Sequence, residues 1–257
     1  MPICFDKKPG LVIYLTAGDP DLATTREMAL AAIDNGADVI ELGVPFSDPL
    51  ADGPVIQRAS ERAVARGTRL SDVLGVCKEL RAARPQAGII LFSYLNPVVR
   101  FGLPAFAKAA KEAGADGVLL TDMIVEEAGE YLQVMHEHDL MPVFLAAPTS
   151  PDERLKAIAK ASRGFVYAIS RVGITGTQTE LASDAQGLVE RIKQFTTLPV
   201  ALGFGVSTAA HVKAVGDFAD AAVVGSAIVG LIEKTAAGEE AKAVGEFVAA
   251  LRGGNAA

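Results

Sequence analysis

The chain has 257 residues, half of them hydrophobic, and its 24 basic and 31 acidic residues give a formal net charge of −7. This length and apolar content allow one large domain or two small ones with a sizeable core. A negative net charge without a basic run argues against nucleic acids and anionic membranes as partners.

The few cysteines and histidines also limit the possible functions. Cys4 and Cys77 lack a C-x-x-C spacing, so we expect two free thiols in a reducing compartment. The three histidines do not cluster with cysteines, so no metal site is predicted. The most apolar stretch, 221–232, is far shorter than the roughly 20 residues of a membrane span. No signal peptide is recognisable, and we expect a soluble, cytoplasmic protein.

Short apolar, β-branched segments recur along the chain and predict eight strands. They cover residues 11–16, 38–42, 88–93, 116–120, 142–146, 165–169, 199–203 and 220–224. Stretches with helical periodicity lie between them, for example 103–113, 126–138, 152–162 and 185–195. Apolar strands alternating with helices are typical of a covered parallel sheet. Eight such units predict a (β/α)₈ TIM barrel as a single domain over residues 1–257, with a doubly wound open sheet as the alternative.

A weak internal repeat accompanies three of the predicted strands. Residues 35–40, 113–118 and 218–223 each end a helix, turn at a small residue and open a strand with an aspartate. The repeat supports a fold built from equivalent units.

The loop after the second predicted strand carries the most informative residues. Glu41 closes this apolar strand, and the segment 43–58, rich in proline and glycine, adds Asp48 and Asp52. A carboxylate at such a position is costly to desolvate unless it is paired or has chemistry to do. Two carboxylates on separate supports suit different proton-transfer roles in one pocket, so Glu41 and Asp52 are the candidate catalytic pair.

The loop after the sixth predicted strand, 170–184, is the second long connection. Glycines 173 and 176 surround Thr175, which gives a backbone able to swing and close. An ordinary exposed loop is the alternative interpretation.

Small residues follow the last two predicted strands. Gly205 lies in the segment 203–207, and Gly225 and Ser226 lie in the segment 225–227, each before a predicted helix. Helix N-termini present free N–H groups, and TIM barrels commonly bind phosphate in these two loops. We therefore predict a phosphate site, although Ser207 and Ser226 could be simple helix caps.

Aromatic and apolar side chains at or near the strand ends could line the space between the phosphate site and Glu41. They are Tyr14, Phe92, Tyr94, Leu119, Tyr167 and Phe204. Grouped around two carboxylates, they indicate a flat apolar substrate body.

These segments together resemble the α subunits of tryptophan synthase over residues 11–251. The matching motifs are 16–20, 41–57, 94–97, 170–176 and 203–207. The resemblance implies retro-aldol cleavage of indole-3-glycerol phosphate to indole and glyceraldehyde 3-phosphate, with no cofactor in this chain.

The resemblance also implies roles for individual residues. Glu41 matches the acid/base glutamate, Asp52 the carboxylate that accepts the indole N–H, and Tyr167 a tyrosine beside the reacting centre. Thr175 matches the threonine that reaches the Asp52 loop on closure. The implied phosphate-binding positions are Gly176, Gly205, Gly225 and Ser226.

The partner implied by the resemblance is the β subunit, a pyridoxal-phosphate enzyme, in an α₂β₂ heterotetramer. Asp48, Pro49 and Ile174 are the candidate interface residues. Two departures from the family pattern are visible. Only about ten residues precede Leu11, so the start lies upstream or the barrel floor is partly open. Ile124 also replaces a frequent proline, which puts communication between the subunits in doubt more than the chemistry.

Three alternatives remain beside the complex-forming α subunit. One is a stand-alone lyase that releases indole without a partner, and another is a weakly active protein that mainly activates a partner enzyme. The third is a different phosphosugar barrel, whose usual metal ligands or Schiff-base lysine are missing from the predicted strand ends.

Overall fold

The computed structural model of the chain describes residues 3, 5, 7–169, 178–203 and 205–253. Strands and helices alternate along them. The strands are β1 (Gly10–Thr16), β2 (Val39–Gly43), β3 (Gly88–Ser93), β4 (Gly117–Leu120), β5 (Met141–Val143), β6 (Leu145–Ala146), β7 (Val166–Ile169), β8 (Val200–Gly203) and β9 (Ala221–Val224). The helices are α1 (Leu22–Asp34), α2 (Pro54–Ala65), α3 (Leu70–Ala83), α4 (Leu95–Phe101), α5 (Leu103–Glu112), α6 (Gly129–Glu137), α7 (Asp152–Ala161), α8 (Gln178–Lys193), α9 (Ala209–Gly216), α10 (Ser226–Ile232) and α11 (Glu240–Leu251), with a 3₁₀ turn at Val125–Glu127.

The strands form a parallel sheet in the order β5-β4-β3-β2-β1-β9-β8-β7-β6. The two outermost strands, β5 and β6, are one chain segment interrupted only at Phe144. This segment pairs with β4 through β5 and with β7 through β6. The amide of Tyr167 also donates to the Phe144 carbonyl at 3.1 Å, which bridges the interruption. The sheet therefore closes on itself, so the predicted (β/α)₈ barrel is confirmed and the open doubly wound sheet is excluded.

The predicted strand 142–146 is wrong as one continuous strand, because the segment changes its hydrogen-bonding neighbour from β4 to β7 at Phe144. Two helix predictions match α5 and α7 within one residue at the C-terminal end. The stretch 126–138 is instead a 3₁₀ turn followed by α6, which begins at Gly129.

Both long predicted loops are shorter than expected at their C-terminal ends. Proline is favourable at the first helical position, and Pro54 starts α2, so the loop after β2 ends at Gly53. Helix α8 starts at Gln178, so residues 178–184 are helical. Residues 170–177, with Thr175, Gly176 and the proposed interface residue Ile174, lie outside the described residues.

Apolar side chains fill the barrel interior, and a second layer packs between the strands and the helices. Val12, Val39, Ile90, Leu119 and Phe165 belong to the interior cluster. Before β1, Ile3 and Phe5 pack against this cluster from the amino ends of the strands. A crevice of about 560 Å³ lies beside them, lined also by Lys193, Leu198 and Asp220.

The three aspartates of the internal repeat lie immediately before β2, β4 and β9, not inside the strands as predicted. Each carboxylate accepts a backbone N–H at the start of a neighbouring strand and pairs with a cationic side chain. Asp38 binds the amide of Leu11 (2.7 Å) and Arg252, Asp116 binds the amide of Ile89 (2.8 Å) and Arg81 (2.6 Å), and Asp220 binds the amide of Val200 (3.0 Å) and Lys193 (3.1 Å). The repeat therefore stabilises the amino end of the barrel.

Among the described residues, no helix is long and apolar enough to cross a membrane.

Candidate active site

Glu41 lies on β2, opposite Tyr14 on β1 and Ile90 on β3. Its side chain is fully buried, and neither carboxylate oxygen has a hydrogen-bond partner among the described residues. Burial raises the pKa of Glu41 to about 8. Such a carboxyl is protonated at neutral pH and can give up and regain its proton at little cost, as a general acid or base must.

Asp52 lies in the loop between β2 and α2 and is held by two neighbours. The hydroxyl of Tyr94 donates to Asp52 Oδ2 at 3.0 Å and itself accepts the amide of Ala51 at 2.9 Å. The side-chain amide of Gln57 donates from Nε2 to the backbone carbonyl of Asp52 at 2.9 Å. Burial raises the pKa of Asp52 to about 6, and the hydrogen bond from Tyr94 opposes this rise.

The two carboxyl groups therefore differ in charge near pH 7. Glu41, with a pKa of about 8, is mostly protonated, whereas Asp52, with a pKa of about 6, is mostly ionised. A pair of titratable groups with separated pKa values is the usual basis for distinct acid and anion roles in one site.

Two tyrosines lie near this pair: Tyr14 on β1, next to Glu41, and Tyr167 on β7. Burial raises the pKa of Tyr14 and of Tyr167, and the charges of Glu41 and Asp52 raise both further. A β-carbon at Gly43 would overlap the Tyr14 hydroxyl, and one at Gly203 would lie 2.8 Å from the Tyr167 hydroxyl. The absence of a side chain at these glycines makes room for the hydroxyls.

The roles of Gly43 and Gly203 were missed in the sequence, although both glycines belong to the motifs quoted for the resemblance. The two glycines leave space for tyrosines that lie on other strands, so no local sequence pattern predicts this role.

The other predicted lining residues differ in depth. Phe92 packs edge-on against Tyr14, with ring centroids 5.0 Å apart. Leu119, opposite Phe92 in the register, is fully buried in the barrel interior. Tyr94 packs against Phe46, which was not among the predicted residues, with the rings tilted and their centroids 5.2 Å apart. Phe204 lies outside the described residues.

The predicted phosphate-binding glycines lie at the carboxyl ends of β8 and β9. Gly205 has a φ of +46°, a conformation that favours glycine. Gly225 is the N-cap of α10, no side chain caps this helix, and Ser226 is its first residue. A β-carbon at Gly225 would lie 3.9 Å from Tyr14 Cβ. The start of α10 therefore lies beside Tyr14, which is on the strand next to Glu41.

Neither Ser207 nor Ser226 is the N-cap of the helix that follows it. Thr208 caps α9 by accepting the amide of His211 at 3.2 Å, one residue beyond Ser207. Ser226 follows the N-cap position of α10. No group of three or more histidine, cysteine, aspartate or glutamate side chains among the described residues could hold a metal ion.

Sequence comparison places this site in a known family. The model of the family described as tryptophan synthase alpha chain matches residues 4–253. A tryptophan synthase alpha chain of Solibacter usitatus is 48% identical over 231 residues, covering 90% of this chain and 86% of the relative. One from Burkholderia pseudomallei is 46% identical over 245 residues, covering 95% and 90%.

Solved structures agree with the sequence comparison. A mutant tryptophan synthase alpha-subunit from Pyrococcus furiosus superposes with a TM-score of 0.88 at 40% identity, covering 96% of this chain and 99% of that one. Mycobacterium tuberculosis tryptophan synthase gives a TM-score of 0.87 at 36% identity, with coverages of 96% and 92%. With the matched residues spanning nearly the whole barrel, the chain belongs to the tryptophan synthase α chain family.

Proposed function

We propose that Glu41 and Asp52 carry out the lyase half-reaction of tryptophan biosynthesis in this chain. That half-reaction cleaves indole-3-glycerol phosphate into indole and glyceraldehyde 3-phosphate, and it is the activity of the family to which the chain belongs. The observation that carries the assignment is Glu41 itself, a fully buried carboxyl group with no partner on either oxygen among the described residues. Such a group is costly to maintain unless a substrate uses it.

Cleavage breaks the bond between indole C3 and the side-chain carbon that bears a hydroxyl. In our proposal, protonated Glu41 delivers its proton to C3, and the resulting carboxylate removes the proton from the side-chain hydroxyl. The electron pair of the broken bond returns to the ring to restore indole, and the hydroxyl oxygen becomes the aldehyde carbonyl. Glu41 ends protonated, so its raised pKa fits both halves of the exchange.

Asp52 stabilises the positive charge that builds on the indole ring when C3 is protonated. Its carboxylate is mostly ionised at pH 7 and accepts the indole N–H in our proposal. Tyr94 holds the other oxygen, Oδ2, in place. Tyr14 and Phe92 bind the ring, and Leu119 supports this wall from below. Tyr167 is assigned as a third catalytic residue, beside the reacting centre.

The glycerol phosphate end is assigned to the starts of the helices after β8 and β9. Gly205, Gly225 and Ser226 present backbone N–H groups there, and Gly176 completes the set by resemblance. Thr175 is assigned to the contact that ties its loop to Asp52 on closure. These two residues and Phe204 lie outside the described residues.

We further propose a β subunit as partner, in an α₂β₂ assembly, with pyridoxal phosphate bound only by the β subunit and no cofactor in this chain. The loop after β2 supports this proposal. Leu50 is 91% exposed, and a groove of about 700 Å³ lined by Asp48 and Phe101 lies alongside. Ile124, at the departure from the family pattern, is 44% exposed.

We place the enzyme in the cytoplasm, in keeping with Cys77, which is buried and free.

The test is indole release from indole-3-glycerol phosphate by the wild type and by Glu41→Gln, each with and without a β subunit. Glutamine keeps the size but cannot transfer a proton, so we expect a loss of about 10²–10⁴-fold with the fold intact by circular dichroism. Wild-type indole release should rise sharply on adding the β subunit, and Thr175→Ala should reduce that rise. More than about a tenth of the wild-type rate in Glu41→Gln would refute the role of Glu41. A high rate of indole release by the lone chain that does not change on adding the β subunit would favour the stand-alone lyase.

A further inference from the structure

A network of four charged side chains lies beside the site and has no part in the chemistry above. Arg62 donates from Nε and Nη2 to the two oxygens of Asp19, at 2.9 and 2.7 Å. Its third nitrogen, Nη1, donates to Glu233 Oε1 at 2.9 Å. Arg58 completes the network with bonds to both oxygens of Glu233, at 2.9 and 2.7 Å.

The network joins three elements that surround the barrel mouth. Asp19 belongs to the turn after β1, both arginines lie on α2, and Glu233 is the residue that ends α10. Asp19 is only 5% exposed, so its carboxylate depends on the bidentate bond from Arg62. The planar guanidinium of Arg62 serves Asp19 and Glu233 at the same time, which a lysine ammonium cannot do in this geometry.

Helix α2 is the element whose position matters for the reaction. It begins two residues after Asp52, so any tilt of α2 moves that carboxylate. It also packs on the α10 segment, since Ile56 lies 3.8 Å from the β-carbon position of Gly225 and Val55 lies 3.7 Å from that of Gly230. Helix α2 thus follows directly on the Asp52 loop and also contacts the Gly225 segment, which we propose binds phosphate.

We propose that Arg62 is a positioning residue that sets α2 against the β1 turn and α10, and thereby places Asp52 and the Gly225 segment around one substrate. The inference rests on the proposed function, because it takes Asp52 and Gly225 as substrate-binding groups. A displacement of about 1 Å at reacting groups can cost about 10²-fold in rate, so a helix anchor of this kind acts on catalysis without touching substrate.

A second arginine pair in the chain provides a matched control. Arg84 donates to both oxygens of Asp34 at 2.7 and 2.6 Å, with the same fork geometry as Arg62 and Asp19. This pair joins the C-terminal ends of α1 and α3, which lie at the amino end of the barrel. Arg84→Met removes an ion pair of the same geometry far from the site, in which both side chains are more exposed than Arg62 and Asp19.

The experiment compares Arg62→Met, Arg62→Lys, Glu233→Gln and Arg84→Met with the wild type in complex with a β subunit. Thermal unfolding, kcat, KM for indole-3-glycerol phosphate and the affinity for inorganic phosphate are measured for each. We expect Arg62→Met to lower kcat about 10–100-fold and to raise KM. Arg62→Lys should recover only part of kcat. Glu233→Gln, which frees α10 alone, should raise KM and weaken phosphate binding several-fold with kcat within about twofold. Arg84→Met should change neither constant by more than about twofold.

An Arg62→Met variant that melts earlier but keeps kcat and KM within about twofold of the wild type would overturn the proposal and leave the network a purely structural role. Should Arg62→Met fail to fold, Glu233→Gln decides, and an unchanged KM there would overturn the proposal. Glu41→Gln assayed in parallel separates the two hypotheses. Its inactivity supports the proposed function whether or not Arg62 matters, and its activity refutes the proposed function directly.

Discussion

Aspartates at the amino end of the barrel and Glu41 near the carboxyl end illustrate two opposite environments for a carboxyl group. At the amino end, Asp38 and Asp116 each accept a backbone N–H from a neighbouring strand and pair with an arginine. At the carboxyl end, Glu41 is more deeply buried than either and has no partner among the described residues. Partnered carboxylates hold strands in register, whereas an unpartnered one retains its capacity to exchange a proton.

The pKa shifts of two residues express this difference. Burial alone would raise the pKa of Asp220 at the amino end, but the amide of Val200 and the ammonium of Lys193 outweigh burial and lower it. Nothing offsets burial at Glu41, and its pKa rises to about 8. The comparison predicts effects of opposite sign when a charged group is removed from each end.

The largest effect on stability is expected from Arg81→Met at the amino end. Arg81 binds Asp116 at 2.6 Å and also donates to the carbonyls of Gly114 and Ala87. Its loss leaves a largely buried carboxylate without its cation, so the free energy of unfolding should fall by about 3–5 kcal/mol. Urea unfolding measures this change. The kcat of the variant should stay within about twofold of the wild type, and a large fall in kcat without loss of stability would contradict the division between the two ends.

A change of opposite sign is expected from Glu41→Gln in alkaline solution. The carboxyl group of the unfolded chain ionises near pH 4.5, whereas that of the folded protein ionises near pH 8. Between these values the folded state holds a proton that the unfolded state has released, so the free energy of unfolding of the wild type falls as pH rises. Glutamine does not titrate. The variant should therefore be more stable than the wild type by about 2–4 kcal/mol at pH 9, and the difference should disappear below pH 4.5.

Glu240→Gln is the control for this measurement. Glu240 is also buried, but it accepts the amide of Gly238 at 2.7 Å. Glutamine keeps an oxygen that can accept this amide, so Glu240→Gln should be no more stable than the wild type at pH 9. Equal stabilisation in both variants would mean that burial alone, without the missing partner, explains the behaviour of Glu41.

The smallest effect is expected from Tyr94→Phe, which removes the hydrogen bond that opposes the rise in the pKa of Asp52. The pKa of Asp52 should then rise above 6, by up to about one unit for a lost bond of about 1 kcal/mol. Because the proposed mechanism uses ionised Asp52, the acid limb of the pH dependence of kcat/KM should move to higher pH. Tyr131→Phe, which loses a bond to the Val118 carbonyl away from the site, should leave this limb in place.

Much of the fold was predictable because it depends on local patterns. Apolar segments separated by helical periodicity indicated eight β/α units, and the barrel follows from their number. Errors occurred where a tertiary contact overrides the local pattern. Asp38, Asp116 and Asp220 precede their strands because their carboxylates bind neighbouring strands, and the fifth strand is divided because Phe144 marks a change of partner.

The site was predictable to a different degree. Glu41 and Asp52 stand out by residue type and position, and the glycines after β8 and β9 by their place before helices. The Tyr94 hydroxyl that binds Asp52 and the space that Gly43 leaves for Tyr14 did not stand out. These contacts join residues that are far apart along the chain, so no local sequence pattern predicts them.

The sequence by itself determined the class of fold and the family, and it predicted Glu41 and Asp52 as the candidate catalytic pair, because periodicity and a long contiguous motif are read along the chain. The tertiary structure decided which carboxyl groups have hydrogen-bond partners, and so which one we propose as the proton-transfer group. It also brought Arg62 to Asp19 and Glu233, which are 43 and 171 positions away along the chain. The physical reason is that desolvation and ion pairing depend on distances in space, and these are set only when the barrel closes.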